Sequence, residues 1–176
     1  SEAGARVLFL QGSNTGSNTI AANIRDSGGF TSIYKNGIGL WVLSGSNLYT
    51  GINLINGGTL SVAQLANGSS ASNLGASTNA AANLVLNGGA LKYTGAATST
   101  DRLFSVGTSG GTLDASGTGA VNFSNTGSMG FNGQSGARTL TLTGNNVNDN
   151  TLAAVIGDNG GATSVTRTHQ YTVSGQ

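Results

Sequence analysis

Residues 4–35, GARVLFLQGSNTGSNTIAANIRDSGGFTSIYK, return at 136–167 as GARTLTLTGNNVNDNTLAAVIGDNGGATSVTR, aligned without a gap 132 positions on. Seventeen of the 32 positions are identical, among them Arg6/Arg138, Leu8/Leu140, Leu10/Leu142, Asp26/Asp158 and the glycine pairs 28–29 and 160–161. Compositional bias reproduces Gly and Asn by chance, but not Arg, Asp and the aliphatic positions together. With a two-residue deletion the likeness runs on, setting Tyr171-Thr-Val173-Ser-Gly175 against Trp41-Val-Leu43-Ser-Gly45. A finer rhythm lies inside the long one: Gly-Gly pairs begin at 28, 57, 88, 110 and 160. Five such intervals in 132 residues give about 26 residues each, within the roughly 20 to 50 that mark solenoids.

Around these pairs the apolar residues alternate in short bursts, Leu8/Leu10, Leu84/Leu86, Leu91/Tyr93 and Leu140/Leu142, each flanked by Gly, Asn or Ser. Period two means strands, and Gly-Gly supplies the positive φ of a tight corner. Gly57-Gly58-Thr59-Leu60, Gly88-Gly89-Ala90-Leu91 and Gly110-Gly111-Thr112-Leu113 read as corner, then strand. Strands recurring at that spacing pair in parallel, so the expected fold is all-β: one right-handed parallel β-helix, a β-solenoid, over 1–176, with about 6–7 turns in a rod about 32 Å long. The absence of Pro suits it, because Pro removes a ladder donor. Residues 63–83, rich in Ala, Ser and Asn without alternation, read as a loop or short helix protruding from the rod.

The composition narrows function. Seven Lys+Arg and six Asp+Glu make 7% of 176 residues and a net charge of +1, against about 25% charged residues in an ordinary domain. Gly (30), Ser (21), Thr (21) and Asn (20) fill more than half the chain. Scattered single basic residues cannot neutralise phosphates, so nucleic acid is not an expected partner. No aliphatic or aromatic run exceeds the four residues of Val7-Leu8-Phe9-Leu10, far short of a membrane-spanning helix. Without Cys there is no disulfide and no thiolate metal site. The chain opens at Ser1 and its one Met is Met129, which reads as a processed product or an excised fragment.

No arrangement of residues spells catalysis, cofactor or metal. The acidic residues Glu2, Asp26, Asp101, Asp114, Asp149 and Asp158 do not stack at turn spacing as the carboxylates of a solenoid lyase would, and Arg102 reads as a surface partner of Asp101. His169 is the single histidine and reads as solvated. Arg6 with Asp26, and Arg138 with Asp158, read as a structural ion pair or a turn capped by Asp. Neither 110–114 nor 157–161 has calcium-repeat spacing, and Val147-Asn-Asp-Asn150 is an Asn-rich turn. Thr139-x-Thr141-x-Thr143 would suit an ice-binding row, but no equivalent recurs at turn spacing. Trp41 and Tyr49 are the candidate sugar-stacking platforms, the alternative being that they cover the core.

At 35–62, Lys35-Asn-Gly-Ile-Gly-Leu-Trp41-Val-Leu-Ser-Gly45-Ser-Asn47-Leu-Tyr49-Thr-Gly51 followed by Gly57-Gly58-Thr59-Leu60-Ser-Val62, the sequence resembles the autotransporter passenger-associated β-strand repeat. The segment from Asp101-Arg102-Leu103-Phe104 through Gly111-Thr112-Leu113-Asp114 to Asn122-Phe123 looks like the stretch that often follows it. The resemblance implies a parallel β-helix, export to the bacterial cell surface, and a precursor with an outer-membrane translocator barrel. After Arg167 the second copy departs from the pattern, with Thr168-His169-Gln170 in place of the Asn-Gly-Ile-Gly lead and Tyr171 for Trp41.

Three roles follow from the expected solenoid. The first is structural: a rod or fibre whose turns bury their core only by stacking, with Val7, Leu8, Phe9, Leu10, Tyr171 and Val173 as end-to-end contacts between neighbouring repeats or subunits. The second is an adhesin that binds glycans or host surfaces, with 63–83 as a lateral contact. The third is a stalk displaying an enzyme located elsewhere in the precursor.

Overall fold

Residues 4–175 are described by a computed structural model; Glu2 lies outside them. The strands, in chain order, are β1 (Arg6–Leu10), β2 (Asn18–Ile20), β3 (Thr31–Lys35), β4 (Leu40–Leu43), β5 (Asn53–Ile55), β6 (Thr59–Val62), β7 (Leu84–Leu86) and β8 (Ala90–Tyr93). They continue as β9 (Thr98–Thr100), β10 (Ser105–Val106), β11 (Gly111–Ala115), β12 (Val121–Phe123), β13 (Arg138–Gly144), β14 (Asn150–Leu152), β15 (Thr163–Arg167) and β16 (Tyr171–Val173). The expected bursts and the strands after Gly-Gly all lie among them.

Every pairing between these strands is parallel, and they form three sheets. The orders are β1-β3-β5-β7-β10, β15-β13-β11-β8-β6-β4-β2 and β16-β14-β12-β9. The chain visits the sheets in turn and lays each strand beside the one from its previous circuit, which is the topology of a β-solenoid.

Inside, residues stack in columns. Leu10, Lys35, Ile55, Leu86 and Val106 align in the five-stranded sheet, and Trp41, Leu60, Leu91, Leu113 and Leu142 in the seven-stranded one. Between the two sheets a glycine-rich corner repeats: a Cβ on Gly58 would collide with the carbonyl oxygen of Gly39, and Gly58 itself has φ 59°. Corners stack backbone on backbone there, and only glycine leaves room.

The long repeat is placed unexpectedly. Phe9, Tyr34, Leu54, Val85, Ser105 and Gly130 form one ladder, five circuits from Phe9 to Gly130. The repeat partner of Phe9 is Thr141, which lies in the seven-stranded sheet beside Thr112. The second copy therefore sits one face further round, so 132 residues make five circuits and about a third, and the expectation of five turns is corrected. The physical cause is uneven circuit length: Ile33 pairs with Asn53, 20 residues on, whereas Asn53 pairs with Leu84, 31 on.

The longest circuit contains 63–83. This segment ends in a single 3₁₀ turn at Ala81–Asn83, and Ser72 bridges antiparallel to Asn47. Leu65 and Leu74 are buried in the core, so the segment lies against the coil, where the sequence suggested a protruding loop.

Candidate functional site

The charged residues that sequence reading singled out serve the backbone. Asp26 accepts from the Thr31 amide (2.7 Å) and from the Thr50 hydroxyl (2.6 Å), and Asp158 accepts from the Thr163 amide (2.7 Å). Both copies thus use Asp to cap a turn five residues ahead. Burial pushes the Asp26 carboxyl up, but the Thr50 and Thr31 hydrogen bonds and the charge of Arg6 outweigh it and hold it below its ordinary value. Arg6 donates to Ser27 O. Arg138 is buried, donates to the carbonyls of Val106, Phe131, Gln134 and Gly136, and stacks its guanidinium 4.8 Å from the Phe131 ring centre.

Arg102 is not a surface partner of Asp101. It is buried and donates to the carbonyls of Ala66, Gly75 and Ser77, tying down the 63–83 segment. Burial lowers its pKa, opposed by the nearby Tyr49 oxygen and Asp101 carboxylate. Asp101 caps the Gly68 amide and the Asn79 side chain. Lys35 is fully buried in an aliphatic column, its ammonium held by the carbonyls of Asn36, Gly37 and Gly57, and desolvation lowers its pKa. Sequence reasoning missed these inward cations because alternation alone does not reveal which carbonyls a corner leaves unpaired.

The two aromatic candidates separate from any sugar platform. Tyr49 is fully buried and its hydroxyl donates to Asn53 (2.6 Å); burial raises its pKa. Trp41 is half-buried, packs against the core, and its Nε1 donates to Gln11 O (2.9 Å). Both close the core, the alternative raised for them. Among the end candidates, Val7 and Phe9 point outward from β1 while Leu10 is buried and Leu8 packs half-buried on the core; Tyr171 is buried and Val173 half-buried. Among the described residues no group of three His, Asp or Glu side chains is placed to hold a metal, and no helix is long and apolar enough to cross a membrane.

The outer faces differ. On the seven-stranded sheet, Thr59, Ala90, Thr112, Thr141 and Thr166 share one outward row, and Lys92 approaches Asp114 at 3.9 Å beside it. On the five-stranded sheet, the outward row Phe9, Tyr34, Leu54 and Val85 is apolar and the neighbouring row carries Val7 and Ile52. Phe9 and Tyr34 meet edge to face at 5.6 Å. Two concavities, about 420 and 350 Å³, open on this face and share Ile52. Phe131 lines the first and Phe30, 64% exposed, the second; no ionisable side chain lines either.

No family model matches the chain, and no solved structure matches it. Over 94% of its length it is 43% identical to a 168-residue stretch of the protein described as "Adhesin BmaC autotransporter" from Brucella suis biovar 1 (strain 1330), and it spans 5% of that protein. At 94% of the chain, that likeness takes in most of both copies of the repeat and the strands between them. Along nearly its whole length the chain is thus similar to one short segment of an autotransporter, a class whose passengers are exported to the outer surface of the bacterial cell.

Proposed function

We propose that the chain is a length of adhesive shaft: a right-handed β-solenoid of six to seven turns that holds a contact surface away from the cell and contributes to it. The observation that carries this reading is the likeness, along 94% of this chain, to a segment that is 5% of a protein named as an adhesin. Right-handedness follows the rule that parallel crossovers take that hand in about 98% of cases. The proposed role is non-catalytic, a reading supported by the use of Asp26, Asp101 and Asp158 as backbone caps. The whole precursor delivers the segment through a translocator barrel, as its autotransporter class implies. The test is display of the segment on a non-adherent bacterium. Adherence to host cells above that of the empty display strain is expected, and adherence equal to it overturns the reading.

A second reading, end-to-end stacking, is supported by the segment's outer strands. The row of inward residues ends in half-buried Leu8, Ile20 and Ile24 at one side and in Ile156, Val165 and Val173 at the other. A further coil, from the same chain or a second copy, covers these residues and satisfies the free edges of β1 and β15. Sedimentation over a concentration series checks it: growth of linear oligomers is expected, and a monomer at all concentrations rejects it.

A further inference from the structure

We propose that the outer face of the five-stranded sheet is a binding trough for a neutral glycan, seated between Phe30 and Phe131 over Ile52 and Val85. The inference rests on the adhesin reading and gives it a ligand class and a place.

Three observations select this occupant. The first is chemistry. The two concavities are mostly apolar, with Ile52, Val85 and Phe131 lining the first and Ile52 and Phe30 the second, and they also carry the hydroxyls of Ser105 and Ser32 and the Asn83 amide. Ser32 Oγ accepts from the Ile52 amide and keeps its proton to donate; Asn83 Nδ2 donates to Thr78 and keeps its carbonyl oxygen to accept; Ser105 Oγ donates to Ala81 O and keeps a lone pair. A pyranose offers the matching set, with C–H groups on its faces and hydroxyls around its rim. Arg138 stacked on Phe131 fixes one ring in place.

The second is charge. Lys35 and Arg102 point inward and are spent on carbonyls, so an anionic ligand finds no counter-charge among the lining residues. A neutral ligand needs none.

The third is area. Five strands at about 4.8 Å spacing and at most five residues long present a face of about 24 by 16 Å, roughly 400 Å². A stable protein interface buries about 800 Å² on each partner, so a second copy or a folded protein finds too little here. A short oligosaccharide fills a trough of this size.

The test uses the 176-residue chain against an array of neutral glycans (cellohexaose, chitohexaose, lacto-N-tetraose) and acidic ones (a heparin hexasaccharide, sialyllactose). Titration follows on the best binder with Phe30→Ala, Ile52→Lys and, on the other face, Thr141→Ala. Phe30 is mostly exposed and Ile52 faces outward, so both variants are expected to keep the urea midpoint. The expected result is binding of a neutral glycan that weakens at least tenfold in Phe30→Ala and in Ile52→Lys and is unchanged in Thr141→Ala. Preference for acidic glycans, no neutral binder, or affinity indifferent to both trough variants overturns the inference. A concentration-dependent dimer lost in the trough variants also overturns it, in favour of a second copy. Adherence of the displayed segment separates the two levels. If adherence persists without glycan binding, the trough falls and the adhesin reading stands; if the trough binds glycan without adherence, the adhesin reading falls.

Discussion

Asp26 holds two backbone amides, of Thr31 and Thr50, and the Thr50 hydroxyl, which belong to two successive circuits. Removing an Asx cap costs about 0.5–2 kcal/mol, so Asp26→Ala is expected to lower stability by about 1–2 kcal/mol in urea unfolding. Asp158→Ala, which breaks one such bond, should cost less. Because the folded carboxyl is held below the ordinary 3.8, its contribution is complete above that pH and disappears as pH falls through the depressed folded value. The urea midpoint of the parent chain should therefore drop across that interval by more than the midpoint of Asp26→Asn. The Asp pair was legible in the sequence as a turn cap or ion pair, since Asp, Gly-Gly and Thr recur together in both copies. For Tyr49 the core-covering alternative was legible but its partner was not: only the stacked circuits show that the hydroxyl faces a buried Asn53.

At the level of elements, the 63–83 segment depends on one buried guanidinium. Arg102→Met keeps much of the volume but removes a charged donor from the Ala66, Gly75 and Ser77 carbonyls, which keep only their bonds from the Thr100 hydroxyl, the Ser72 hydroxyl and the Ser69 amide. A hydrogen bond from a charged group contributes about 1.5–3 kcal/mol, so a loss of about 3 kcal/mol is expected, together with faster amide exchange at 63–83 than in β8 or β11. Equal protection throughout would mean that Leu65 and Leu74 anchor the segment alone. The strands obey a different economy, in which packing dominates. Leu86 is fully buried between Ile55 and Val106 in its column, and Leu86→Ala should cost about 2–5 kcal/mol, read from the urea midpoint.

Over the whole molecule, the outward row Leu40, Thr59, Ala90, Thr112, Thr141 and Thr166 is a ruler along the axis. Five steps of about 4.8 Å put Leu40 and Thr166 about 24 Å apart. Spin labels at Leu40→Cys and Thr166→Cys should report that separation in pulsed electron–electron resonance, broadened by the label arms. A sandwich or an antiparallel meander gives a different distance. The one-face advance of the 132-residue repeat also has a consequence for surface display. The turn that Asp26 caps leads into the five-stranded sheet, and its twin at Asp158 leads into the seven-stranded sheet, so identical motifs point to different sides of the rod.

Alternation, Gly-Gly corners and the 32-residue repeat were enough to establish parallel strands and most strand positions, because both signals are local: a period of two and a positive φ depend on neighbours in the chain. Tertiary structure alone decided which sheet each strand joins, because that depends on the summed length of every corner before it, and circuits of 20 and 31 residues look alike strand by strand. It also decided the fate of Lys35, Arg102 and Tyr49. Arg102 and, in part, Lys35 turn inward toward carbonyls one circuit away, at Ala66, Gly75 and Ser77 and at Gly57, which no short window of sequence contains; Tyr49 turns inward because its near neighbour Asn53 is itself buried by the stacked circuits.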